Sequence, residues 1–521
     1  MSQIPRQWTR AERYITDGQL PAARAVLEGL LREAPGHVQA RLLLSSVLLG
    51  QGRLRDACAQ LLAAAETLPD DADTICTVAH CLLRVGETVA ARACLDHPEI
   101  ARTRSGPVLA RLAHVRQALG EHEASLALMD RAAANGFDNP DFRYFRSLQL
   151  QFNGRVREAE EELEACLRLG PTFGRASLTL ARMRRQTAEH HHLDYIAAQL
   201  QRVEPGSEDH AAFEFARFKE LDDLGRYDEA WVALARGNAL MYARQQHDPE
   251  YERQQFARIA AYCTPAFLQA PPAAPMEGPT PIFIVGLPRT GTTLLERILG
   301  NHSQVTSAGE LPDFPRQLRW ATDCHGSSLV DFGVLERAPD VDYAELGRRY
   351  LAQTQWRAQG RRFYVDKLPP NYMLAGFIRS ALPQAPILHM TRAPMDVCFS
   401  NWKALFGDAY AYSYDLDALA AHYGHYRRLM RHWHDNMPGA VLDVSYAELV
   451  RNPEAVAREV LEFCGLPYED GCVEVTRNRS PVATLSSAQV REPIHTRSFE
   501  EWRRYEAPLR TLRSALADRL D

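Results

Sequence analysis

A short glycine-bounded loop in the second half of the chain has the composition of an anion-binding site. Residues 282–285 form a continuous apolar run of the kind found in buried parallel strands, and the turn 286–291 follows directly. From Thr292 onward, apolar residues recur with helical spacing. A strand, loop and helix in this order point several backbone N–H groups and the positive end of a helix dipole at one spot. The sequence therefore predicts a phosphate-binding loop.

This loop differs from the nucleoside-triphosphate loop at one position. In the GxxxxGK[ST] pattern a lysine would occupy the place of Thr292, and that lysine contacts the β- and γ-phosphates. Arg289 supplies positive charge from a different place within the loop. The pattern favours a single phosphate–sulfate group as the ligand and leaves a P-loop kinase-like phosphotransferase as the alternative.

Three later segments carry side chains that suit the same site. Arg392 follows a strand-like run and Ser400 comes about two helical turns later, so both could hold one anion. Glu310 could take the proton of an attacking hydroxyl, with Asp313 as the nearest rival base. Lys367 ends another strand-like stretch, where it could neutralise charge on a departing oxygen.

Together these segments resemble the sulfotransferases, in particular the tyrosylprotein sulfotransferase branch. The loop sequence GLPRTGTTLLE is similar to that family's 5′-phosphosulfate loop, with Thr290 in place of a serine. The resemblance implies a P-loop-like α/β domain with a parallel sheet, 3′-phosphoadenylyl sulfate as co-substrate and no metal. It implies that Arg392 and Ser400 bind the 3′-phosphate. It also implies Glu310 as the catalytic base and Lys367 as the group that stabilises the transition state.

The same resemblance assigns further contacts to the donor. The 5′-phosphosulfate would be bound by Arg289, Thr290, Gly291, Thr292 and Thr293. Arg289 would also contribute to catalysis, Tyr446 would lie near the 3′-phosphate, and Ser486 matches the family's active-site serine. The residues that would lie over the nucleotide are Ser487, Gln489, Val490 and Arg491. Glu492 departs from the tyrosylprotein branch, which has a basic residue there.

The first half of the chain repeats with a period of 34 residues. The periodic glycines are Gly18, Gly52, Gly86, Gly120 and Gly154. Small residues follow five positions later at Ala23, Ala57, Ala91, Ser125 and Ala159. Prolines in the same frame are Pro35, Pro69, Pro171 and Pro205. This pattern is that of tetratricopeptide repeats, which stack pairs of helices into a solenoid with a concave face. Such an array serves either as a docking surface for a peptide or protein or as a structural spacer.

These patterns divide the chain into three parts. Residues 1–260 are predicted to form the all-α repeat array, residues 261–281 a proline-rich linker, and residues 282–521 the sulfotransferase domain. The run His190, His191 and His192 is expected at a solvated helix end rather than as a set of metal ligands, because adjacent helical side chains point in different directions.

Net charge, cysteine spacing and hydropathy indicate where the protein is located and which partners it lacks. The formal charge of −6 on 521 residues gives no general attraction to nucleic acid or anionic lipid. The ten cysteines lack CxxC or metal-ligand spacing, which favours a reduced, cytoplasmic protein. No apolar run approaches the roughly 20 residues that span a bilayer.

The resemblance thus implies an enzyme that moves a sulfuryl group to a hydroxyl, and the pairing of such a domain with tetratricopeptide repeats looks like a bacterial arrangement. The acceptor is open among a peptide tyrosine, which would give protein-tyrosine sulfotransferase activity, a sugar and a small metabolite. A non-catalytic repeat scaffold is a further alternative to the kinase-like phosphotransferase.

Overall fold

The first half of the protein consists of paired helices. A computed structural model describes residues 4–269, 277–478, 480–484, 492–497 and 499–517. The helices of this half are α1 (Ile4–Thr16), α2 (Leu20–Glu33), α3 (Val38–Gly50), α4 (Leu54–Ala65), α5 (Ala72–Val85), α6 (Thr88–Cys94), α7 (Pro98–Arg102), α8 (Gly106–Ala118), α9 (His122–Ala134), α10 (Pro140–Phe152), α11 (Val156–Leu169), α12 (Gly174–Met183), α13 (Leu193–Leu200), α14 (Glu208–Asp223), α15 (Tyr227–Arg244), α16 (Pro249–Tyr262) and α17 (Pro265–Leu268). Neighbours pack in pairs, such as α1 with α2, α3 with α4 and α8 with α9. The predicted helical solenoid is confirmed.

The periodic residues have the structural roles that the repeat pattern requires. Each of the five glycines lies between the two helices of a pair with a left-handed φ, which is +88° at Gly86. A side chain would be strained there, so glycine ends the first helix at low cost. Ala91, five positions later, is fully buried in the second helix of its pair, and its small size lets the two helices approach closely.

The degenerate repeat departs from this scheme between α12 and α13. His190 and His191 lie in the connecting turn, where Thr187 and His190 form an isolated bridge. His192, the residue before α13, is only partly exposed, and its Nδ1 lies 2.8 Å from Oε1 of the buried Glu220. The histidine run thus lies next to a helix end, as expected, but His192 is held by a hydrogen bond to Glu220 and is not a fully solvated side chain.

The second half contains a five-stranded parallel sheet. Its strands are β1 (Thr280–Gly286), β2 (Val305–Ser307), β3 (Phe363–Asp366), β4 (Ile387–Thr391) and β5 (Val441–Ser445), in the order β2-β3-β1-β4-β5. The register pairs Ile284 with Leu388 and Phe283 with Asp366. Both faces of the central strand are buried, as the apolar run predicted: Ile284 packs into one hydrophobic cluster and Phe283 into another. The predicted α/β class is confirmed.

Helices connect and cover these strands. They are α18 (Thr292–Gly300), α19 (Asp313–Thr322), α20 (Phe332–Arg337), α21 (Tyr343–Thr354), α22 (Ala375–Ala381), α23 (Pro394–Trp402), α24 (Leu416–Asn436), α25 (Tyr446–Arg451), α26 (Pro453–Phe463) and α27 (Arg510–Ala517). Within the described ranges, every helix is too short or too polar to cross a lipid bilayer.

The two halves pack against each other over a wide area. The largest hydrophobic cluster includes Phe215 of α14 and Leu234 of α15 together with Trp402 and Tyr505 of the second half. Helix α16 packs against α24, so the chain remains in contact with the sheet domain up to the segment before β1. The repeats therefore form one packed body with the domain that follows them.

A buried polar cluster fixes this interface near α6. The carboxylate of Glu87 accepts hydrogen bonds from Arg349 at 2.6 Å and from Gln353 at 3.0 Å, both on α21. Next to it, Thr88 Oγ1 donates to Asp313 at 2.7 Å. Because Glu87 is almost completely buried, these two partners replace the hydrogen bonds that its carboxylate would make to water.

Replacement of Glu87 by Ala should destabilise the protein. Removing one partner of a largely buried ion pair costs about 3 kcal/mol, because Arg349 keeps its contacts with Gln317 and the Trp320 ring but loses its counter-charge. Chemical denaturation followed by circular dichroism should show a lower midpoint for E87A. The control is E161A on the exposed face of α11, which should match the wild type. An unchanged midpoint for E87A would show that the two halves do not pack in this way.

Candidate active site

The ends of all five strands meet at one edge of the sheet. Since the strands are parallel, their carboxyl ends and the loops that follow them point in the same direction. In spatial order across the sheet, the residues after these ends are Glu310 (β2), Lys367 (β3), Arg289 (β1), Arg392 (β4) and Tyr446 (β5). Five residues predicted from separate segments of the sequence thus lie along a single edge.

Two glycines shape the loop after β1. Gly286 has φ +145°, and a Cβ there would lie 2.7 Å from the carbonyl oxygen of Met390. Gly291 has φ +105°, and a Cβ there would lie 2.4 Å from the ring of Tyr446. Any side chain at these two positions would collide with β4 or with α25, so both must be glycine.

The loop between these glycines is braced from several sides. Arg289 itself adopts a left-handed φ of +69°, which is strained for a residue with a Cβ. Thr290 Oγ1 donates to the Leu287 carbonyl at 2.8 Å, and Asn401 Nδ2 donates to the Pro288 carbonyl at 2.8 Å. The hydroxyl of Thr290 therefore stabilises the loop by a hydrogen bond within it. The sequence did not predict that Asn401 supports this loop. Its position next to Ser400 was the only indication that it lies near the site.

The predicted anion-binding side chains form one cluster. Arg289 Nε lies 3.4 Å from Ser400 Oγ, and Arg392 Nη1 donates to the Arg289 carbonyl at 3.0 Å. The Arg392 guanidinium lies 4.8 Å from the ring centroid of Tyr446. Burial and the neighbouring Arg392 lower the pKa of Arg289 to about 10. Two guanidinium groups held this close create a strongly positive site, which suits an anion with several charges.

The first turn of α18 completes the positive site. Gly291 precedes the helix and offers no side-chain cap, so the first N–H groups of the helix are left for other acceptors. Thr292 and Thr293 occupy this turn and are largely buried, and both line the adjoining cavity. The loop and helix end thus have the geometry of an anion site.

Lys367 and Glu310 form a close ion pair beside this cluster. Lys367 Nζ lies 2.6 Å from Glu310 Oε1 and 3.7 Å from Glu296 Oε2. The lysine is fully buried, whereas the Glu310 side chain is 42% exposed and lines the cavity. Glu296 Oε1 accepts a hydrogen bond from the Gly309 N–H at 3.1 Å and another from the Ser307 hydroxyl, which leaves Oε2 facing Lys367. Sequence reasoning missed Glu296, which looked like an ordinary helix residue.

The charge of Lys367 is maintained by these carboxylates. Burial by itself lowers the pKa of Lys367, but Glu310 and Glu296 outweigh burial and raise the pKa above its ordinary value. The ammonium group therefore stays protonated at physiological pH.

Two other carboxyl groups are turned away from the cavity. Asp313, the rival base, is buried at the repeat interface, where it accepts from Thr88 and lies 3.6 Å from Arg357. Asp366 accepts from the Tyr350 hydroxyl at 2.8 Å. Burial raises the pKa of Asp366 well above its usual range, and the nearby Asp313 adds to the effect.

A cavity of about 550 Å³ adjoins these groups and has walls from both halves of the chain. From the second half it is lined by Arg289, Thr292, Thr293, Glu310, Arg392, Ser400 and Tyr446. From the repeats it is lined by Tyr144, Leu148, Gln151, Phe152, Arg175, Leu178, Thr179, Arg182 and Glu208. The repeat residues were not foreseen, because their approach to the cavity depends on how the two halves pack.

The segment after α26 closes the cavity on another side. Val482 N–H donates to the Phe152 carbonyl at 3.1 Å, and Thr484 Oγ1 lies 3.5 Å from Thr293 Oγ1. The predicted donor contacts Ser486, Ser487, Gln489, Val490 and Arg491 lie outside the described residues.

One cluster with metal-ligand spacing lies elsewhere. His389, His434 and Asp443 bring their ligand atoms within 4.8 Å of one another. Asp443 Oδ1 lies 2.6 Å from His389 Nδ1 and 2.9 Å from His434 Nε2. These hydrogen bonds join β4, β5 and α24, so the three side chains help to hold these elements together.

Two protein-family models match parts of this chain. Residues 281–470 match the family model described as Sulfotransferase family, and residues 14–74 match the one described as Tetratricopeptide repeat. An uncharacterized protein of Aquifex aeolicus (strain VF5) is 30% identical over 361 residues, which cover 68% of this chain and 47% of that protein. The protein-tyrosine sulfotransferase of Drosophila melanogaster is 24% identical over 247 residues, which cover 42% of this chain and 46% of that protein.

Among solved structures, the sulfotransferase domain from the Synechococcus PCC 7002 olefin synthase aligns with a TM-score of 0.33. It is 19% identical, and the match covers 45% of this chain and 91% of that domain. The chain spans about half the length of the two curated relatives described above.

The buried carboxyl of Asp366 should make stability depend on pH. Its folded pKa is raised, so the folded protein keeps a proton that the unfolded chain releases above about pH 4. Stability is then lost as the pH rises from the unfolded pKa toward the folded one. Replacement by Asn removes this loss, so the stability of D366N relative to wild type should increase between pH 5 and pH 8. Urea denaturation at both pH values, with D228N at an exposed position of α15 as the control, measures the effect. A constant difference between D366N and wild type would show that Asp366 is ionised in the folded protein.

Proposed function

We propose that this chain, which carries a sulfotransferase-family domain at residues 281–470 behind tetratricopeptide repeats, transfers a sulfuryl group from 3′-phosphoadenylyl sulfate to a hydroxyl acceptor. The observation that carries the proposal is the convergence of the Arg289–Arg392–Ser400 cluster and the Lys367–Glu310 pair on one sheet edge. One group suits a multiply charged donor, and the other suits acid–base chemistry.

The positive cluster fits the two anionic ends of the donor. The N–H groups at the start of α18, with Arg289, Thr292 and Thr293, would bind the 5′-phosphosulfate. Arg392 and Ser400 would bind the 3′-phosphate, and Tyr446 holds Arg392 in place through its ring. Fixing both ends orients the sulfur for in-line attack, which is the main contribution that positioning makes to group transfer.

Glu310 and Lys367 would act in sequence in the transfer. Glu310 accepts the proton of the acceptor hydroxyl, the acceptor oxygen forms a new bond to sulfur, and the bond between sulfur and the bridging oxygen breaks. Adenosine 3′,5′-bisphosphate leaves with the electron pair of that bond. Once Glu310 is protonated, it no longer neutralises the ammonium of Lys367 2.6 Å away. The charge of Lys367 is then available to the departing oxygen.

For the acceptor, we propose a phenolic hydroxyl such as that of a peptide tyrosine. The cavity wall contains Tyr144, Phe152, Phe406 and Tyr410, which suit an aromatic ring. The similarity to the Drosophila protein-tyrosine sulfotransferase supports the same acceptor class. A peptide delivered by the repeats would supply such a group. We further propose a cytoplasmic location, since all ten cysteines are free thiols.

Donor binding should depend on Arg392. Titration calorimetry with adenosine 3′,5′-bisphosphate should show binding by the wild type, and R392A should bind about 100-fold more weakly, because a charge-assisted hydrogen bond contributes about 1.5–3 kcal/mol. R157A, an exposed arginine of α11, is the control and should bind like the wild type. Binding of ATP with magnesium in preference to the bisphosphate would favour the kinase-like alternative.

Turnover should depend on Glu310 without a matching effect on the donor. With 4-methylphenol as acceptor, whose hydroxyl stays protonated near neutral pH as that of tyrosine does, E310Q should reduce kcat by about 10²–10⁴-fold, the usual contribution of a general base. The affinity for the bisphosphate should stay within about twofold of the wild type, and the control E459Q, at an exposed position of α26, should match the wild type in both kcat and affinity. An E310Q protein that turns over normally, or that loses the bisphosphate, would show that Glu310 is not the base.

A further inference from the structure

Two repeat helices present one face each to the catalytic cavity. From α10 the cavity is lined by Tyr144, Leu148, Gln151 and Phe152. From α12 it is lined by Arg175, Leu178, Thr179 and Arg182. Both sets have the spacing of three and four residues that places side chains on a single helix face. The repeat array therefore supplies one wall of the candidate active site.

Arg182 stands out on this wall. It lies in the last turn of α12, it is partly exposed to the cavity, and it forms no hydrogen bond or ion pair with any residue that the structure describes. Burial and the nearby Arg289 lower its pKa to about 10, which still leaves it charged at neutral pH. Its helix neighbour Arg184 pairs with Glu160, and Arg175 lies 3.9 Å from Asp209.

Among the described residues, the other charged side chains that line the cavity do not form ion pairs with Arg182. Lys403 is paired with Glu501. Glu310 is paired with Lys367. Glu208 also lines the repeat wall, but it lies beyond ion-pair distance of Arg182 in this structure.

The surroundings of Arg182 also suit the body of a small organic group. Leu148 and Leu178 of the repeat helices and Leu405 and Phe406 of the second half line the same cavity. Tyr410 adds a ring close enough to Glu310 for that carboxylate to raise its pKa, beyond the larger effect of burial. The cavity thus combines an apolar wall, a candidate base and an uncompensated cation.

We propose that Arg182 binds an anionic group carried by the hydroxyl acceptor, so that the repeat array selects the acceptor inside the active site. The inference rests on the proposed function, because it assigns Arg182 to the acceptor and not to the donor. The acceptor is then a hydroxyl compound with an apolar body and a carboxylate, phosphate or sulfate group. Arg182 is a specificity residue, and it takes no part in proton transfer.

Matched pairs of phenols test the assignment. The probes are 4-hydroxybenzoate, 4-hydroxyphenylacetate and 3-(4-hydroxyphenyl)propionate, each beside its uncharged carboxamide. Binding is measured by calorimetry on the full chain saturated with adenosine 3′,5′-bisphosphate. At least one carboxylate should bind the wild type about tenfold more tightly than its amide, as expected for one charge-assisted hydrogen bond. R182Q should remove this preference, R182K should keep part of it, and the exposed control R168Q should keep all of it.

The outcomes separate this inference from the proposed function. In R182Q, unchanged affinity for the amides and for the bisphosphate would show that only the charge recognition is lost. A loss of bisphosphate affinity in R182Q would assign Arg182 to the donor and overturn the inference. Equal binding of carboxylates and amides by the wild type, or binding of neither, would overturn it as well. If the wild type fails to bind the bisphosphate, the proposed function fails, whereas carboxylate binding lost in R182Q would still reveal the anion subsite.

Discussion

The parallel direction of the five strands is the constraint on which the candidate site depends. Because every strand ends at the same edge, five loops from distant parts of the sequence are brought side by side. The strand order β2-β3-β1-β4-β5 sets the spatial order of their functional groups. Glu310 and Lys367 lie on one side of the loop that follows β1, and Arg392 lies on the other side. An antiparallel strand at any position would move one of these groups to the opposite edge.

Local sequence pattern accounted for the elements of this site. The apolar run before Gly286 and the helical spacing after Thr292 predicted β1 and α18, because neither signal depends on tertiary structure. The spacing from Arg392 to Ser400 placed the arginine at a strand end and the serine in the next helix, as the structure has them. The 34-residue period predicted the helix pairs for the same reason, since the two helices of each pair are neighbours in the sequence.

The remaining features follow from contacts between distant segments, which a single sequence does not reveal. Glu296 supports Lys367 only because α18 packs beside β2 and β3. Asp313 resembled a catalytic candidate by its nearness to Glu310 in sequence, yet the interface with Thr88 removes it from the cavity. No sequence pattern indicated that Arg182 lines the cavity, because its position depends on how a repeat helix packs against the sheet domain. The donor contacts that the sequence predicts at residues 486–491 lie outside the described residues.

The packed interface between the halves also bears on how the chain folds during synthesis. Helical repeats rely on contacts between residues close in sequence, and such structures fold quickly. Parallel sheets need pairings between distant segments, such as Phe283 with Asp366, and they form slowly. Since the N-terminal half leaves the ribosome first, its repeats would fold before the sheet domain emerges, with the rings of Phe218 and Trp231 not yet covered by Tyr505 and Trp402. The repeats would then act as a template that shields the apolar surface of the slower half as it emerges.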